Sequence, residues 1–297
     1  HHTLPQSSRV SGMMEMTDAM TVTERFRTFR SERTTVFTVL CWTVAFCLYA
    51  LFVRSFMTRL APPMSEAAKS KGILRDQLSK DLATCIVAIT THTFLGPMAL
   101  YLSLGYHAAG YPAALSAFLP EPLLAADVTR ELWCCRVGEM FTGNVLYQIV
   151  FWILRWETGI DMLLHHVGFF VAGYLILDLT CLGKLASAAM SMEVSSVFLS
   201  VHLMLRQIDG KTCALISDLA AAFFALAFIS IRIFWYGFVV AEFNYTWWLE
   251  PEKLPQGLPV VETRLAHAVF TLGWFLQLYW SKLVVTKVSR AVREMMS

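Results

Sequence analysis

Seven stretches of this 297-residue chain are apolar over a length that can cross a bilayer, and nothing else in it constrains the fold so tightly. A crossing takes about 20 mostly apolar residues. Hydropathy places the stretches at 36–53, 82–104, 137–154, 162–179, 185–205, 215–240 and 265–285. Each is expected to form a helix, because a backbone surrounded by hydrocarbon must satisfy its own hydrogen bonds. The expected fold class is all-α: a polytopic membrane protein with about seven transmembrane helices. The third and fourth stretches are the weakest, since Arg155, Trp156 and Glu157 barely separate them.

The composition agrees. Hydrophobic residues make up 56% of the chain and charged residues only 15%, against about 25% charged in soluble domains. A net charge of +2 excludes a strongly basic nucleic-acid binder, so no nucleic-acid partner is expected. Zinc-type Cys/His spacing, a P-loop and a dinucleotide fingerprint are all missing, so no metal and no cofactor are expected. The seven cysteines, Cys41, Cys47, Cys85, Cys134, Cys135, Cys181 and Cys213, are odd in number and include no CxxC. They read as small apolar packing residues rather than a disulfide framework.

Residues 1–34 form a polar tail with Arg25, Arg27, Arg30 and Arg33 before the first span. The sequence starts at His1, and Met13 and Met14 are candidate natural starts. No cleavable signal peptide is expected, because a polar tail precedes a stretch of full spanning length. Residues 35–78 hold the first span and a basic loop, and 293–297 a short C-terminal tail. The loops after spans one, three and five, with the C-terminal tail, carry Arg54, Arg59, Lys69, Lys71, Arg75, Lys80, Arg155, Arg206, Lys211, Lys287, Arg290 and Arg293. The opposite loops carry only Arg130, Arg136, Lys184, Lys253 and Arg264. The positive-inside rule therefore places the C-terminus in the cytosol, although the N-terminal arginines argue the other way. Asn244-Tyr245-Thr246 is a glycosylation sequon close to the membrane on the expected lumenal side.

Polar residues inside the spans are costly and mark candidate sites. At 1.5 Å per residue, His165 and His166 lie roughly 5 Å inside the cytosolic end of span four. His202 and Asp218 fall at about the same level, while His92 and Glu193 fall near the midplane. Arg232, Glu139 and His267 lie nearer the lumenal side. Four spans thus bring polar groups to compatible layers, as a polar cavity within a bundle requires. Structural readings stand beside these. The histidine pair could be wetted helix-end residues with Asp161 one turn away. Glu193, His92 and His267 could be helix–helix hydrogen bonds, His202 and Asp218 polar helix-end groups, and Arg232 a snorkelling cation.

Several of these residues sit in familiar surroundings. The run from Ser79 through Cys85 and His92, then Gly138-Glu139-Met140-Phe141, leads to Met162-Leu163-Leu164-His165-His166. Met192-Glu193-Val194-Ser195-Ser196-Val197-Phe198-Leu199, Phe228-Ile229-Ser230-Ile231-Arg232-Ile233 and Leu276-Gln277-Leu278-Tyr279-Trp280 follow in order. In this order and on these spans, 79–292 resembles the TLC (TRAM–Lag–CLN) domain family of lipid-related membrane proteins. The resemblance implies six core helices around a polar-lined cavity, with one extra N-terminal span. It implies membrane lipids as partners, the endoplasmic reticulum rather than the plasma membrane, and a possible oligomer.

In the ceramide-synthase branch of that family, paired histidines serve acyl transfer from acyl-CoA to a sphingoid amine. An imidazole can remove an amine's proton or accept the acyl group. This chain lacks that branch's HD-x-x-D element, since Leu203 and Met204 follow His202. It is more similar to the small TLC-domain-containing proteins. The favoured expectation is a protein that influences membrane lipid composition by binding or modifying an acyl lipid. His165, His166 and Glu193 are its candidate catalytic groups, and His92, Asp161, His202, Asp218 and Arg232 its cavity residues. The alternatives are a ceramide-synthase-like N-acyltransferase using acyl-CoA as substrate and a non-enzymatic trafficking or translocation accessory.

Overall fold

The computed structural model describes residues 35–60, 62–70, 72–109, 127–155, 160–178, 183–251 and 260–296. The first apolar run forms α1 (Thr35–Leu60), and α2 (Glu66–Ser70) is a short helix in the loop after it. The next three runs fall in α3 (Arg75–Ala109), α4 (Asp127–Arg155) and α5 (Ile160–Asp178). The fifth is split between α6 (Gly183–Met190) and α7 (Glu193–Leu205). The sixth passes from α8 (Lys211–Ala227) through a π-helical segment, Phe228–Trp235, into α9 (Tyr236–Leu249), and the seventh lies in α10 (Val260–Met296).

Among the described residues, five stretches are long and apolar enough to cross a membrane: Val36–Leu60, Arg75–Gly105, Gly183–Leu205, Lys211–Leu249 and Thr263–Arg290. The protein is an all-helical, multi-pass membrane protein. The other two helices are the pair that the sequence marks as weakest. The 29 residues of α4 include Asp127, Arg130, Glu131, Arg136 and Glu139 in the first half, and the apolar part of α5 is only Leu163–Tyr174. The polar N-terminal tail, the Trp156–Glu157 junction and Cys181 lie outside the described residues.

Large apolar side chains face outward, as a lipid solvent allows. Phe37, Phe52, Phe234 and Leu272 are all more than 60% exposed. The buried core instead contains Leu95, Phe141, Ala186, Met190, Val240 and Phe270, from five different helices. Lipid tails are as apolar as these side chains, so close backbone approach at small residues must supply much of the helix association.

α3 occupies the centre, touching α1, α4, α6 and α7, and its longest contact is with α7. That contact depends on Gly96, where an added Cβ would lie 2.6 Å from the Val194 backbone nitrogen. Gly143 on α4 similarly lies against Trp42 of α1, and the Thr43 hydroxyl donates to the Gly143 carbonyl at 3.3 Å. Gly173 on α5 leaves room for Thr142.

Two irregularities aim the side chains discussed below. Between α6 and α7 the backbone tightens into i→i+3 bonds, with Met192 N donating to Ala189 O and Ser195 N to Met192 O. Glu193 emerges from this tight turn. In the π-helical segment the ordinary i→i+4 ladder is broken, and the Trp274 indole donates to the Ile233 carbonyl at 3.4 Å. Segments of this kind occur frequently at functional sites.

The loops after the first and fifth runs are sewn together. Ser65 N donates to Gln207 O at 2.9 Å, Asp209 N to Pro63 O at 3.0 Å, and the Ser65 hydroxyl to Arg206 O. Gly210, at φ 132°, turns the chain from this clasp into α8. That conformation is open to glycine and strained for other residues.

Candidate functional site

Glu193 is a buried carboxylate at the start of α7, and three neighbouring elements converge on it. Its Oε2 lies 3.3 Å from Nδ1 of His92 on α3. This contact is too poorly aligned to count as a hydrogen bond, so buried Nδ1 has a charge opposite it but no aligned partner. Nε2 of His92 meets the Asn144 amide of α4 at 3.4 Å. The Ser196 hydroxyl bonds to the Glu193 carboxylate.

Arg232, in the middle of the π-helical segment, completes the cluster. Its Nε donates to Ser195 Oγ at 2.7 Å, Nη2 to Ser196 Oγ at 2.7 Å, and Nη1 to Gln277 Oε1 of α10 at 3.3 Å. The guanidinium also lies over the Phe228 ring, 5.3 Å from its centroid. Arg232 is only 6% exposed, so the snorkelling expectation is corrected. Burying a carboxylate and a guanidinium is tolerable only when they compensate each other and their remaining polar atoms are satisfied. The serine pair Ser195-Ser196 does much of this, linking the Arg232 fork to the backbone and carboxylate of α7.

His165 and His166, on α5, lie within electrostatic range of the same cluster. His165 is close enough to interact electrostatically with Arg232 and Glu193, and His166 with Glu193 and His92. The structure thus brings together five of the expected residues: His92, His165, His166, Glu193 and Arg232. The separate depth layers read from the sequence merge into one here.

Successive helical residues point about 100° apart, and that angle gives the two histidines different surroundings. His165 packs edge-on to Phe169 and Trp280, with centroids at 4.5 and 4.8 Å. It borders an apolar chamber of about 240 Å³ between α5 and α10, closed by Ala189, Met192 and Tyr236. Leu164 and Leu272 line this chamber and are also exposed on the outer, lipid-facing surface. His166 borders a larger chamber of about 530 Å³ between α3, α4 and α7, whose walls are apolar over most of their area but carry several side-chain amides.

The remaining expected residues lie elsewhere. His202 ties α7 to α8, its Nδ1 lying 3.0 Å from both the hydroxyl and the carbonyl of Ser217. Asp218 follows Ser217 at the level of His202 but is exposed, so its expected place among the cavity residues is corrected. One residue of helical rotation puts Ser217 inward and Asp218 outward. Asp161 lies in the first turn of α5, but its side chain is outside the described part of the structure. Glu139 is paired with Arg136 at 3.2 Å, one turn earlier on α4.

His267 has a structural role. Its Nε2 lies 2.6 Å from Asn244 Oδ1, and its ring stacks on Trp247 with centroids 5.0 Å apart. Asn244 itself donates to Val240 O at 2.8 Å and to Thr271 Oγ1 at 3.2 Å. The sequon is thereby locked inside α9. Asn244 is expected to carry no glycan, so Asn244→Gln leaves electrophoretic mobility unchanged. A band that shifts on glycosidase treatment and loses that shift in Asn244→Gln would contradict this.

Sequence reasoning missed Asn144, Ser195, Ser196 and Gln277. All are uncharged, and sorting the spans by ionisable groups passed over them. A polar amide within an apolar run, such as Asn144 or Gln277, was the available signal.

Fold and site together define a helix-bundle membrane protein with an ionisable cluster buried between two chambers. The family model for the TLC domain matches residues 13–286, and the chain belongs to that family. The match takes in the first helix as well as the six that carry the motifs. No curated protein matches the chain.

Proposed function

We propose that this protein influences membrane lipid composition by binding or modifying an acyl lipid in the chamber beside His165. The observation that carries this reading is the position of that chamber. It is apolar, it reaches the lipid-facing surface at Leu164 and Leu272, and it ends at an imidazole backed by the Glu193–Arg232 cluster. An acyl chain entering sideways from the bilayer would keep its apolar surroundings while its polar end met His165 and Gln277. In the enzymatic form of this reading, His165 or His166 serves as the base in an acyl transfer, and Glu193 stabilises the imidazolium that results.

The protein is proposed to cross the membrane seven times with a cytosolic C-terminus, in the endoplasmic reticulum. Two contacts support this alternation of sides. The clasp between Pro63–Ser65 and Gln207–Asp209 joins two loops expected on the cytosolic face. Lys184 and Glu242, on the opposite ends of their helices, pair at 2.7 Å.

The test is the acyl-chain profile of cellular lipids in a null background complemented with variants. His165→Ala and Glu193→Ala are each expected to leave the null profile uncorrected at wild-type protein levels. Asp218→Ala, on the exposed face of α8, should restore the wild-type profile. Full correction by both site variants would refute the reading.

A further inference from the structure

The chamber on the His166 side differs in chemistry from its neighbour. Its walls carry the side-chain amides of Gln77, Asn144, Gln148 and Gln207, with Asp81 and Thr84. Tyr147 and Phe151, tilted together at 4.8 Å, form an apolar wall beside them. Among the described residues, no lysine or arginine lines it. We propose that this chamber is a second binding site, for a neutral polyhydroxylated group such as a sugar or other polyol. The group is either free or the headgroup of a lipid.

The ligand class follows from the lining. A phosphate or carboxylate needs a guanidinium, an ammonium or a set of aimed backbone N–H groups, and the side-chain cations are missing from these walls. A cation would need the carboxylate of Asp81, whose Oδ1 already accepts a bond from Gln77 Nε2 at 2.9 Å. Hydroxyl groups both donate and accept, and each side-chain amide offers two donors and a carbonyl acceptor. One such acceptor is waiting: Gln207 Oε1 is buried and lacks any donor, while Gln207 Nε2 is held by the Leu203 carbonyl at 3.0 Å. An unmade bond of that kind costs about 1–3 kcal/mol, and a ligand hydroxyl would recover it. The apolar Tyr147–Phe151 wall suits the C–H face of a sugar or polyol.

Access is from the end of the bundle rather than from the bilayer. Gln77 and Asp81 lie in the first two turns of α3, Gln207 follows the end of α7, and Gln148 and Phe151 lie near the end of α4. The clasp through Ser65 and Gln207 borders this mouth. The site does not depend on the lipid reading of the other chamber, so either can fail alone.

Cys85 is in the chamber wall and serves as the reporter. The full chain, reconstituted in phosphatidylcholine nanodiscs, is treated with N-ethylmaleimide, and alkylation is followed peptide by peptide by mass spectrometry. The probes are glucose, hexyl glucoside below its micellar concentration, hexanol and inorganic phosphate. A probe at ten times its Kd leaves about one-tenth of the sites free, so Cys85 alkylation should slow about tenfold. The rate at Cys213, at the start of α8 and outside the chamber, should not change.

Protection by both glucose and hexyl glucoside supports a free polyol, and protection by hexyl glucoside alone supports a lipid headgroup. Gln207→Leu should remove the protection while leaving the Cys213 rate as in wild type, which shows that the variant folds. Asp81→Asn supplies the same comparison on the opposite wall. The proposal is overturned if neither sugar protects, if hexanol or phosphate protects as well as the sugars, or if protection persists in both variants. Should Cys85 stay unreactive, the same probes are read by hydrogen–deuterium exchange at the Ser65–Gln207 clasp, where slowing by the sugars alone supports the proposal and its lack overturns it.

Discussion

Arg232→Met should destabilise the bundle by about 3–5 kcal/mol, the usual cost of taking away a buried charge that compensates another and leaving its hydrogen-bond partners unmatched. In a chain of this size that corresponds to a fall in Tm of roughly 10 °C. The reason is local. Among the described residues Arg232 is the only guanidinium close to buried Glu193, and its three donor positions hold Ser195, Ser196 and Gln277. Methionine matches its length but leaves the carboxylate with only His92 and Ser196 beside it, and the hydroxyls without their donor. Arg232→Lys should recover little, because a point charge cannot reproduce a fork that spans three partners. The comparison that isolates the electrostatic coupling of the two charges is the double variant Arg232→Met/Glu193→Gln. It should be more stable than Arg232→Met alone, since the uncompensated charge is gone. Thermal unfolding in one detergent across the series checks this, and simple additivity of the two losses would contradict it.

Gly96→Val is expected to have the next largest effect, about 1–3 kcal/mol of overpacking. The atoms a side chain would meet are Val194 N at 2.6 Å and the Glu193 carbonyl carbon at 2.9 Å. Both are backbone atoms, so no rotamer change relieves the clash and the helices must separate. The residues forced apart carry the two sides of the His92–Glu193 contact. Loss of stability should therefore come with loss of function in the lipid-profile assay, and Gly96→Ala should produce a milder version of both. A Gly96→Ala protein that keeps wild-type Tm and a wild-type lipid profile would show that the α3–α7 contact has slack.

The positions of the helices were legible because hydropathy reports the hydrocarbon-facing length directly. Their ends were not. α3 begins at Arg75 and α10 runs to Met296, well beyond the apolar runs, because a helix continues into the interface where water satisfies its ends. The tight turn before Glu193 and the π-helical segment around Arg232 left no mark in the sequence. Neither contains a glycine or proline, and both arise from packing against neighbouring helices. Within the site, ionisable groups were readable from their cost in a membrane. Their partners were not, since Asn144, Ser195, Ser196 and Gln277 look ordinary until a neighbouring helix brings the other half of the bond. The Ser217–Asp218 exchange shows the same limit at one-residue scale. Depth along a helix can be counted from sequence, but the face a residue presents depends on which helices pack where. The divergent surroundings of His165 and His166 belong to that second kind of information.

The most direct measurement of the lipid-binding account is mass spectrometry of lipids retained by the purified full chain and by Gly168→Phe. Gly168 lines the chamber beside His165, and a Cβ added there meets no atom within 4 Å. A phenyl ring should therefore fill the space without disturbing the fold. The account predicts that the wild-type protein retains an acyl lipid and that Gly168→Phe loses it or retains one with shorter chains, at unchanged Tm. No retained lipid in the wild type, or the same lipid at the same level in both proteins, would contradict it.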